Sequence, residues 1–362
     1  MPFQIIRNDI TKVKADVIVN TANPKPRVGS GTDSAIYAAA GAEQLLAARK
    51  KIGEVAPGDA VYTEAYQLDA KYIIHTVGPV WIDGTHGERE VLRSCYARSL
   101  NLAAELRCES VAFPLIASGV YGFPKDEALQ IALAEISRFL MTHEMKVLLV
   151  VFGRKALQLS ERLVGSIEQY IDDHAEQRLY EAEYGGGERN RSRRFLRPRE
   201  ELLEVQAFGA LPYEDDAALE ETEEADAESA PGDSLPDLSG KSLDEVLDGK
   251  SETFQQRLLK LIDESGMTDV AVYKKANIDR KVFSSIRYKP DYKPKKKTAL
   301  AFAIALELDL PTTRDLLSRA ELAFSPSSQF DLIVSYFITN QNYDIFEINA
   351  ALFQYGQPIL GE

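Results

Sequence analysis

Short apolar runs alternate with longer segments of helical periodicity over the first 150 residues, and this alternation constrains the fold more than any other feature of the chain. β-branched residues dominate the runs, whereas apolar residues recur every three or four positions in the segments between them. The predicted strands cover residues 3–6, 17–20, 60–65, 72–77, 110–114 and 146–152, and the predicted helices cover residues 34–51, 88–106, 125–143 and 156–175. Strands separated by helices of this length form βαβ crossovers, which predicts a largely parallel sheet covered by helices on both faces.

The character of the sequence changes after residue 175, which divides the 362 residues into three predicted parts. Residues 176–250 contain six arginines between positions 189 and 199, and then fourteen acidic residues between positions 214 and 248, where Lys241 is the only basic residue. Because prolines and glycines accompany these charges and aromatic residues are few, we interpret this part as a disordered linker. Residues 1–175 form the α/β domain, and the apolar periodicity of residues 251–362 predicts an all-helical domain.

Composition excludes several classes of protein. Hydrophobic residues make up 45% of the chain, but no run approaches the roughly 18 apolar residues that a membrane-spanning helix needs. The first residues lack the basic start and apolar stretch of a secretory signal, so we expect a cytoplasmic protein. Cys95, Cys108 and the four histidines lack the spacing of metal ligands, so we expect no metal and no cofactor. His75 falls within a predicted strand, which favours a core histidine over a catalytic one.

A glycine-containing turn follows the second predicted strand. Asn23 comes shortly after the strand, and Gly29 and Gly31 precede a helix that begins near Asp33. Glycines between the carboxyl end of a strand and the N-terminus of a helix let backbone N–H groups approach a phosphate. Asp33 then has two interpretations, because it can cap the helix or serve as a catalytic carboxylate.

The loop after the fifth predicted strand has the same character. Ser118, Gly119 and Gly122 permit close backbone approach and lie between strand 110–114 and helix 125–143. Both loops follow strands of a parallel sheet, so we expect them to meet at its carboxyl edge. Two anion-binding loops at one edge suggest a diphosphate ligand.

Five motifs, in order, resemble the macrodomain family and its MacroD-type branch. They are NDIT at 8–11, VIVNTAN at 17–23, GTDSAI at 31–36, YIIHTVGP at 72–79 and SGVYGFP at 118–124, and the resemblance covers nearly all of residues 3–172. It implies an α/β macrodomain fold, in which helices sandwich a mixed, largely parallel sheet. It also implies that this domain binds ADP-ribose.

The resemblance implies ligand contacts at matching positions. Asp9 matches the acidic residue that binds the adenine amino group, with the backbone N–H of Ile10 beside it, and a plain surface turn is the alternative for Asp9. Asn23 matches the residue that contacts the distal ribose, and its alternative is an Asx turn before Pro24. Asp33 matches the carboxylate that activates water in hydrolytic members. Asp33 and Asn23 are therefore the predicted catalytic residues.

Phosphate and adenine contacts follow from the same matches. The phosphate-binding residues are Gly31 in the first loop and Ser118, Gly119, Val120, Tyr121 and Gly122 in the second, with Tyr121 against the distal ribose. Many members carry an aromatic residue a few positions after the sixth strand, whereas this chain offers Phe152 or Arg154 for stacking on adenine. The family's usual longer glycine run is here Gly-Ser-Gly-Thr at 29–32, and the insertion Pro-Lys-Pro-Arg at 24–27 stiffens and charges the loop just before it. We therefore expect the geometry on the ribose side to differ from that of the family.

The helical domain contains a segment that resembles the helix-turn-helix of Xre/Cro-like repressors. Residues 268–278 and 279–287 predict two helices joined by a tight turn at Asn277. Ten basic residues and two acidic ones lie between Lys274 and Lys297, which predicts a positive patch. Contact with DNA is one interpretation, and docking of a protein or a plain solvated surface are the alternatives. The candidate nucleic-acid contacts are Arg280, Lys281, Ser284 and Arg287.

The leading expectation is an ADP-ribosyl hydrolase that acts on mono-ADP-ribosylated macromolecules or on O-acetyl-ADP-ribose. A non-catalytic reader of ADP-ribose is the first alternative, and a DNA-binding regulator that responds to an NAD-derived metabolite is the second. The expected partners are ADP-ribose or an ADP-ribosylated substrate and, at the helical domain, DNA or a protein, with no membrane contact.

Overall fold

A computed structural model describes residues 2–153, 157, 159–184, 252–289 and 292–361, and only the backbone of residues 177–184. Arg154 and most of the predicted linker therefore lie outside the described residues. Residues 1–179 and 252–362 form one compact unit. The division of the chain into three parts stays a prediction.

A six-stranded sheet forms the centre of the α/β domain. Its strands are β1 (Phe3–Arg7), β2 (Val17–Thr21), β3 (Ala60–Glu64), β4 (Tyr72–Thr76), β5 (Ser110–Pro114) and β6 (Lys146–Val151). Their order is β1-β6-β5-β2-β4-β3, and β3 runs antiparallel to β4 whereas the other neighbours are parallel. Helices cover both faces, so central strands such as β2 are apolar almost throughout. All six predicted strands are confirmed, each to within one residue at either end.

Five described helices flank this sheet. They are α1 (Thr32–Ala40), α2 (Ala42–Ile52), α3 (Glu88–Glu105), α4 (Lys125–Leu140) and α5 (Glu161–Tyr184). The single helix predicted for 34–51 is wrong, because Gly41 adopts φ +95° and separates α1 from α2. The helix predicted for 156–175 begins at Glu161, where the Ser160 hydroxyl accepts a hydrogen bond from the backbone N–H of Leu163.

Residues 252–361 are helical where they are described, as predicted. The helices are α6 (Phe254–Ser265), α7 (Asp269–Lys275), α8 (Arg280–Tyr288), α9 (Lys296–Ala305), α10 (Leu310–Ser318), α11 (Gln329–Thr339) and α12 (Ile345–Gln354). Side chains of Thr253, Thr268 and Asp279 cap α6, α7 and α8, which explains where these helices start. Asn277 turns the chain between α7 and α8 with φ +53°. A stretch able to cross a bilayer is absent from the described helices.

The helical domain lies against the edge strand β1. The side-chain oxygen of Asn277 accepts a hydrogen bond from the backbone N–H of Phe3 at 2.9 Å, and its Nδ2 donates to the backbone oxygen of Phe3 at 3.0 Å. The rings of Phe3 and Phe346 are 5.0 Å apart, and the guanidinium of Arg7 lies over the ring of Phe353. The turn after α7 and helix α12 therefore cover an edge that would otherwise expose unpaired backbone groups.

Candidate ligand-binding and catalytic site

A pocket of about 750 Å³ opens at the carboxyl edge of the sheet, where β2, β5 and β6 end. This volume is in the range of small-molecule and cofactor sites. The predicted site residues that line the pocket are Asp9, Ile10, Asn23, Gly31, Asp33, Ser118, Gly119, Val120, Tyr121 and Phe152. Gly122 is not part of the lining, but it adopts φ +70° and donates its N–H to the oxygen of Gly119, so it shapes the loop. The structure thus brings both predicted phosphate loops to one pocket.

Asp9 combines a local structural role with a place in the pocket wall. Its carboxylate accepts hydrogen bonds from the backbone N–H of Thr11 at 3.0 Å and from the Thr11 hydroxyl at 2.8 Å, which caps a 3-10 helix (Ile10–Lys12). These bonds lower the pKa of Asp9, so the carboxylate is ionised at neutral pH. Because a carboxylate has about four acceptor positions, Asp9 can hold the turn and still accept from a ligand amino group.

The side chains of Asn23 and Asp33 both lie close to Gly29. A Cβ atom at Gly29 would lie 2.6 Å from Asn23 Nδ2 and 3.0 Å from Asp33 Oδ2, so the two side chains leave no room for a methyl group. Arg27 Nε donates to Asn23 Oδ1 at 3.2 Å and thereby orients the amide. Arg27 and Val28 also line the pocket, and sequence reasoning assigned neither to the site. The charged insertion at 24–27 was the signal that pointed to them.

Asp33 is the buried carboxylate of the pocket wall, with 2% of its surface exposed. Its Oδ1 accepts from Asn20 Nδ2 at 2.6 Å, and its Oδ2 accepts from the backbone N–H of Gly29 at 2.5 Å. The capping alternative is wrong, because Gly31 is the N-cap of α1 and no side chain caps that helix. Burial raises the pKa of Asp33, while the bonds from Asn20 and Gly29 and the charge of Arg49 oppose the rise. A raised pKa makes the carboxylate a stronger base.

A second layer of polar groups lies behind Asp33. Asn20 and His75 are both fully buried, and Asn20 Nδ2 is 3.2 Å from His75 Nδ1. The Thr63 hydroxyl lies 3.0 Å from His75 Nε2. Burial, followed by the charge of Arg49, lowers the pKa of His75 to about 3, so the ring is neutral. His75 is the hydrogen-bonded core residue that the sequence predicted. Sequence reasoning missed Asn20, although an amide in an otherwise apolar strand was a signal.

The second phosphate loop presents backbone rather than side chains. The Ser118 hydroxyl donates to the backbone oxygen of Leu115, so it is engaged within the loop. Ala117 adopts φ +61°, and the backbone oxygen of Tyr121 accepts from the N–H of Trp81 at 2.8 Å, which anchors the loop. Open space surrounds the Cα of Gly119. A loop of this kind, facing the N-terminus of α1, is suited to hold phosphate oxygens by N–H groups.

Phe152 is an exposed aromatic residue of the pocket wall. It follows β6, and 83% of its side chain is exposed although it lines the pocket. A ring that is this exposed beside Asp9 and Ile10 can stack on a flat base. The alternative stacking residue, Arg154, lies outside the described residues.

Comparison with known proteins places this pocket in a family. The Macro domain family model matches residues 19–132. Residues of this chain are 43% identical to an O-acetyl-ADP-ribose deacetylase of Citrobacter rodentium over 167 residues, which is 45% of this chain and 94% of that protein. The chain belongs to the macrodomain family. A macro domain-containing protein of Methanosarcina mazei is 42% identical to it over 167 residues, which is 46% of this chain and 89% of that protein. A solved Oceanobacillus iheyensis macrodomain with ADP is 35% identical, with 48% of this chain and 92% of that chain covered and a TM-score of 0.40.

One group of potential metal ligands occurs in the described part of this macrodomain protein. Atoms of Asp83, His86 and Glu88 that could bind an ion lie within 4.8 Å of one another. The carboxylate of Glu88, however, accepts hydrogen bonds from the backbone N–H groups of Ile82, Gly84 and His86. It therefore closes the loop in front of α3, and the three residues do not line the pocket of the macrodomain.

The candidate nucleic-acid contacts lie on helix α8, away from the pocket. Arg280, Lys281, Ser284 and Arg287 are all exposed on this helix. The positive patch is weaker than the sequence predicted, because among the described residues acidic side chains from other segments pair with at least five of its ten basic residues. These pairs are Lys274–Glu144, Lys275–Glu307, Arg287–Asp269, Lys293–Glu321 and Lys296–Asp331. Lys274 in particular contacts the macrodomain, since its Nζ also donates to the backbone oxygen of Met141.

Proposed function

We propose that the macrodomain binds ADP-ribose and hydrolyses ADP-ribosyl linkages, in mono-ADP-ribosylated macromolecules or in O-acetyl-ADP-ribose. The observation that carries this proposal is the buried Asp33 carboxylate, which both lines the pocket and is held on each oxygen by one donor. The name of the Citrobacter rodentium relative supports the reaction type, because this chain covers 94% of that protein.

The proposed ligand, ADP-ribose, has one orientation in the pocket. Asp9 and Ile10 receive the adenine at one end, and Phe152 stacks on it. The two loops at Gly31 and 118–122 bind the diphosphate through backbone N–H groups, which suits a doubly charged group at a helix N-terminus. The distal ribose then lies between Asn23 and Tyr121, with Asp33 beside it. This order follows from the family matches at these positions, and all of these residues except Gly122 line the pocket.

Asp33 activates water in the proposed reaction. With an acetyl ester as substrate, the oxygen of water forms a bond to the acyl carbon while Asp33 accepts a water proton. The bond between that carbon and the ribose oxygen then breaks, and the proton passes to the ribose oxygen to give acetate and ADP-ribose. Each oxygen of Asp33 keeps a free lone pair after its bond to Asn20 or Gly29, so the carboxylate can accept this proton.

Two substitutions separate hydrolysis from binding. Asp33→Asn keeps the size of the side chain but removes the base, so turnover of O-acetyl-ADP-ribose should fall about a hundredfold or more. Calorimetry should show ADP-ribose affinity of the same order as in the wild type, because the adenine and diphosphate contacts are elsewhere. If the wild-type protein binds ADP-ribose but releases no product from either substrate, the domain is a reader. Equal turnover in the variant and the wild type would contradict the role of Asp33.

We also propose a nucleic-acid contact through the exposed face of α8, formed by Arg280, Lys281, Ser284 and Arg287. The supporting observation is that these four side chains are exposed on the second helix of the α7–turn–α8 segment. In helix-turn-helix proteins this helix carries the base contacts. Docking of a protein at the same face is the competing outcome.

Salt dependence tests the contact. Three cations on this face give a slope of about −3 in a plot of log affinity against log salt concentration, since each neutralised phosphate contributes about −0.9. The double substitution Arg280→Ala with Lys281→Ala in the full chain should reduce that slope by about two. Lys260→Ala, at an exposed position of α6, is the matched control. Lack of retention on duplex DNA at roughly 50 mM salt removes this proposal.

A further inference from the structure

Three buried polar side chains on adjacent strands form a line that ends at Asp33. In the register of the sheet, Asn20 on β2 lies directly beside His75 on β4, and Thr63 lies on the neighbouring strand β3. Asn20 and His75 have no exposed surface, and Thr63 has 6%. The line therefore runs from the outer strand β3 through the interior to the pocket wall, where Asn20 contacts Asp33.

The hydrogen positions along this line are determined by its ends. Asp33 is an acceptor as a carboxylate, so the Asn20 group beside it must be the amide NH2 and not the amide oxygen. The same NH2 group faces His75 Nδ1, which must then accept and carry no hydrogen. The remaining proton of the neutral ring lies on Nε2 and is donated to the Thr63 hydroxyl.

This arrangement fixes the orientation of the Asn20 amide at a cost. Both N–H bonds of the amide are used, but its oxygen Oδ1 is buried and has no hydrogen-bond partner among the residues that the structure describes. An orphaned buried oxygen is unfavourable, and a simple core position would be filled better by an apolar residue. Retention of an amide here is explained if its donors are needed where they point, towards Asp33.

We propose that Asn20 is the positioning residue for Asp33, and that His75, itself oriented by Thr63, sets the direction of the Asn20 amide. This inference rests on the proposed hydrolytic function, because it concerns the aim of Asp33 at the distal ribose. With Asn20 on Oδ1 and Gly29 on Oδ2, the carboxylate cannot rotate about its Cβ–Cγ bond without losing a bond. A base that is held in this way keeps its free lone pairs directed at one place in the pocket.

Other titratable groups face Asp33 from α2, from the second phosphate loop and from its own helix α1. Arg49 on α2 is buried and acts on Asp33 through its charge, and its Nη2 donates to the backbone oxygen of Asn23 at 3.4 Å. Tyr37 on α1 and Tyr121 in the second phosphate loop also face Asp33, and burial raises the pKa of each, so both are neutral at pH 7. Only Asn20 and Gly29 donate hydrogen bonds to its carboxylate among the described residues.

Carboxyl carbon NMR of the full-length protein tests the contact between Asn20 and Asp33 directly. The substitution Asn20→Leu removes a donor that lowers the pKa of Asp33, so this pKa should rise further above its wild-type value. In the same variant kcat should fall about tenfold or more, while KM and the affinity for ADP-ribose stay within about twofold, because the binding loops are unchanged. An unchanged pKa of Asp33, or a loss shared between kcat and ADP-ribose affinity, overturns the proposal.

A second variant keeps the proposal testable if Asn20→Leu does not fold. Thr63→Val preserves size and removes only the acceptor of His75 Nε2–H. Nitrogen shifts of His75 should report an Nε2–H ring in the wild type and a shift towards Nδ1–H in the variant, with a several-fold lower kcat. Thr76→Val, in the same strand as His75 but bonded to the backbone oxygen of Asp59, is the matched control and should change neither. An Nδ1–H ring in the wild type overturns the proposal.

These readouts separate the two proposals. The titration of Asp33 and the protonated nitrogen of His75 are measured without substrate. A wild-type protein that hydrolyses nothing would end the proposed function, and the titration would still decide whether Asn20 holds Asp33.

Discussion

The substitution Gly29→Ala tests the site directly, because it adds one carbon atom close to both predicted catalytic side chains, Asn23 and Asp33. Gly29 does not have a positive φ, so an alanine there introduces no backbone strain. The added Cβ would lie 2.6 Å from Asn23 Nδ2 and 3.0 Å from Asp33 Oδ2. Ordinary contact begins at 3.4 Å, so the Asn23 amide must move by about 0.8 Å, the difference between these distances.

The expected size of the effect follows from that displacement. A misplacement of about 1 Å in a catalytic site can reduce turnover about a hundredfold. We therefore expect kcat/KM for O-acetyl-ADP-ribose to fall about a hundredfold, equivalent to about 2.7 kcal/mol of transition-state stabilisation. Folding should be affected much less than turnover, because Gly29 is only partly buried in a loop and its neighbours are side chains.

The assay compares steady-state release of ADP-ribose with thermal unfolding of the same samples. Gly165→Ala is the matched control, since open space surrounds Gly165 in helix α5 and a methyl group there should raise helix stability by about 0.5–1 kcal/mol without changing turnover. If Gly29→Ala retains turnover within about threefold of the wild type, the chemistry does not depend on Asn23 and Asp33 as they are placed here. That result would refute the reasoning from the site.

Three further predictions concern single residues. Asp9→Ala should weaken ADP-ribose binding by about 1–3 kcal/mol in calorimetry, because an adenine N–H donor loses its acceptor. An unchanged affinity would mean that Asp9 only caps the 3-10 helix through its bond to Thr11. The ring of His75 should stay neutral at pH 5 by NMR, because its pKa is lowered from 6.5 to about 3 in the folded protein, and a titration near pH 6.5 would contradict its burial. The contribution of His75 to stability is therefore present above pH 6.5 and declines as the pH falls from 6.5 towards 3. Asn277→Ala should lower the free energy of unfolding by about 2–5 kcal/mol, since it leaves buried backbone groups of Phe3 unpaired, and a loss below about 0.5 kcal/mol would contradict that contact.

The sheet and its pocket could be predicted from the sequence because their signals are local. β-branched runs mark strands, and the carboxyl ends of parallel strands share one edge, so the sequence alone predicts that the loops at Gly31 and Ser118 meet. The break between α1 and α2 could not be predicted from periodicity. The apolar spacing continues through Gly41 without interruption, but the positive φ of Gly41 ends the helix there.

Other features depend on contacts between distant parts of the chain. The two interpretations of Asp33 could not be separated by sequence, since its partner Asn20 lies on a different element and the outcome depends on how α1 packs on β2. The positive patch between Lys274 and Lys297 was overestimated for the same reason, because its acidic partners, such as Glu144 and Glu321, lie elsewhere in the sequence.

The pairing of Asn277 with Phe3 has a consequence for the synthesis of the chain. A side-chain amide presents one N–H donor and one carbonyl acceptor, so Asn277 completes the outer side of β1 much as a peptide group of a seventh strand would. The ribosome makes Asn277 more than a hundred residues after the last strand of the sheet, a delay on the order of ten seconds at typical rates of translation. During that interval the nascent α/β domain carries an open edge that other chains can join. Truncated forms that end before residue 277 keep this edge permanently, and we expect them to aggregate more readily than the full chain.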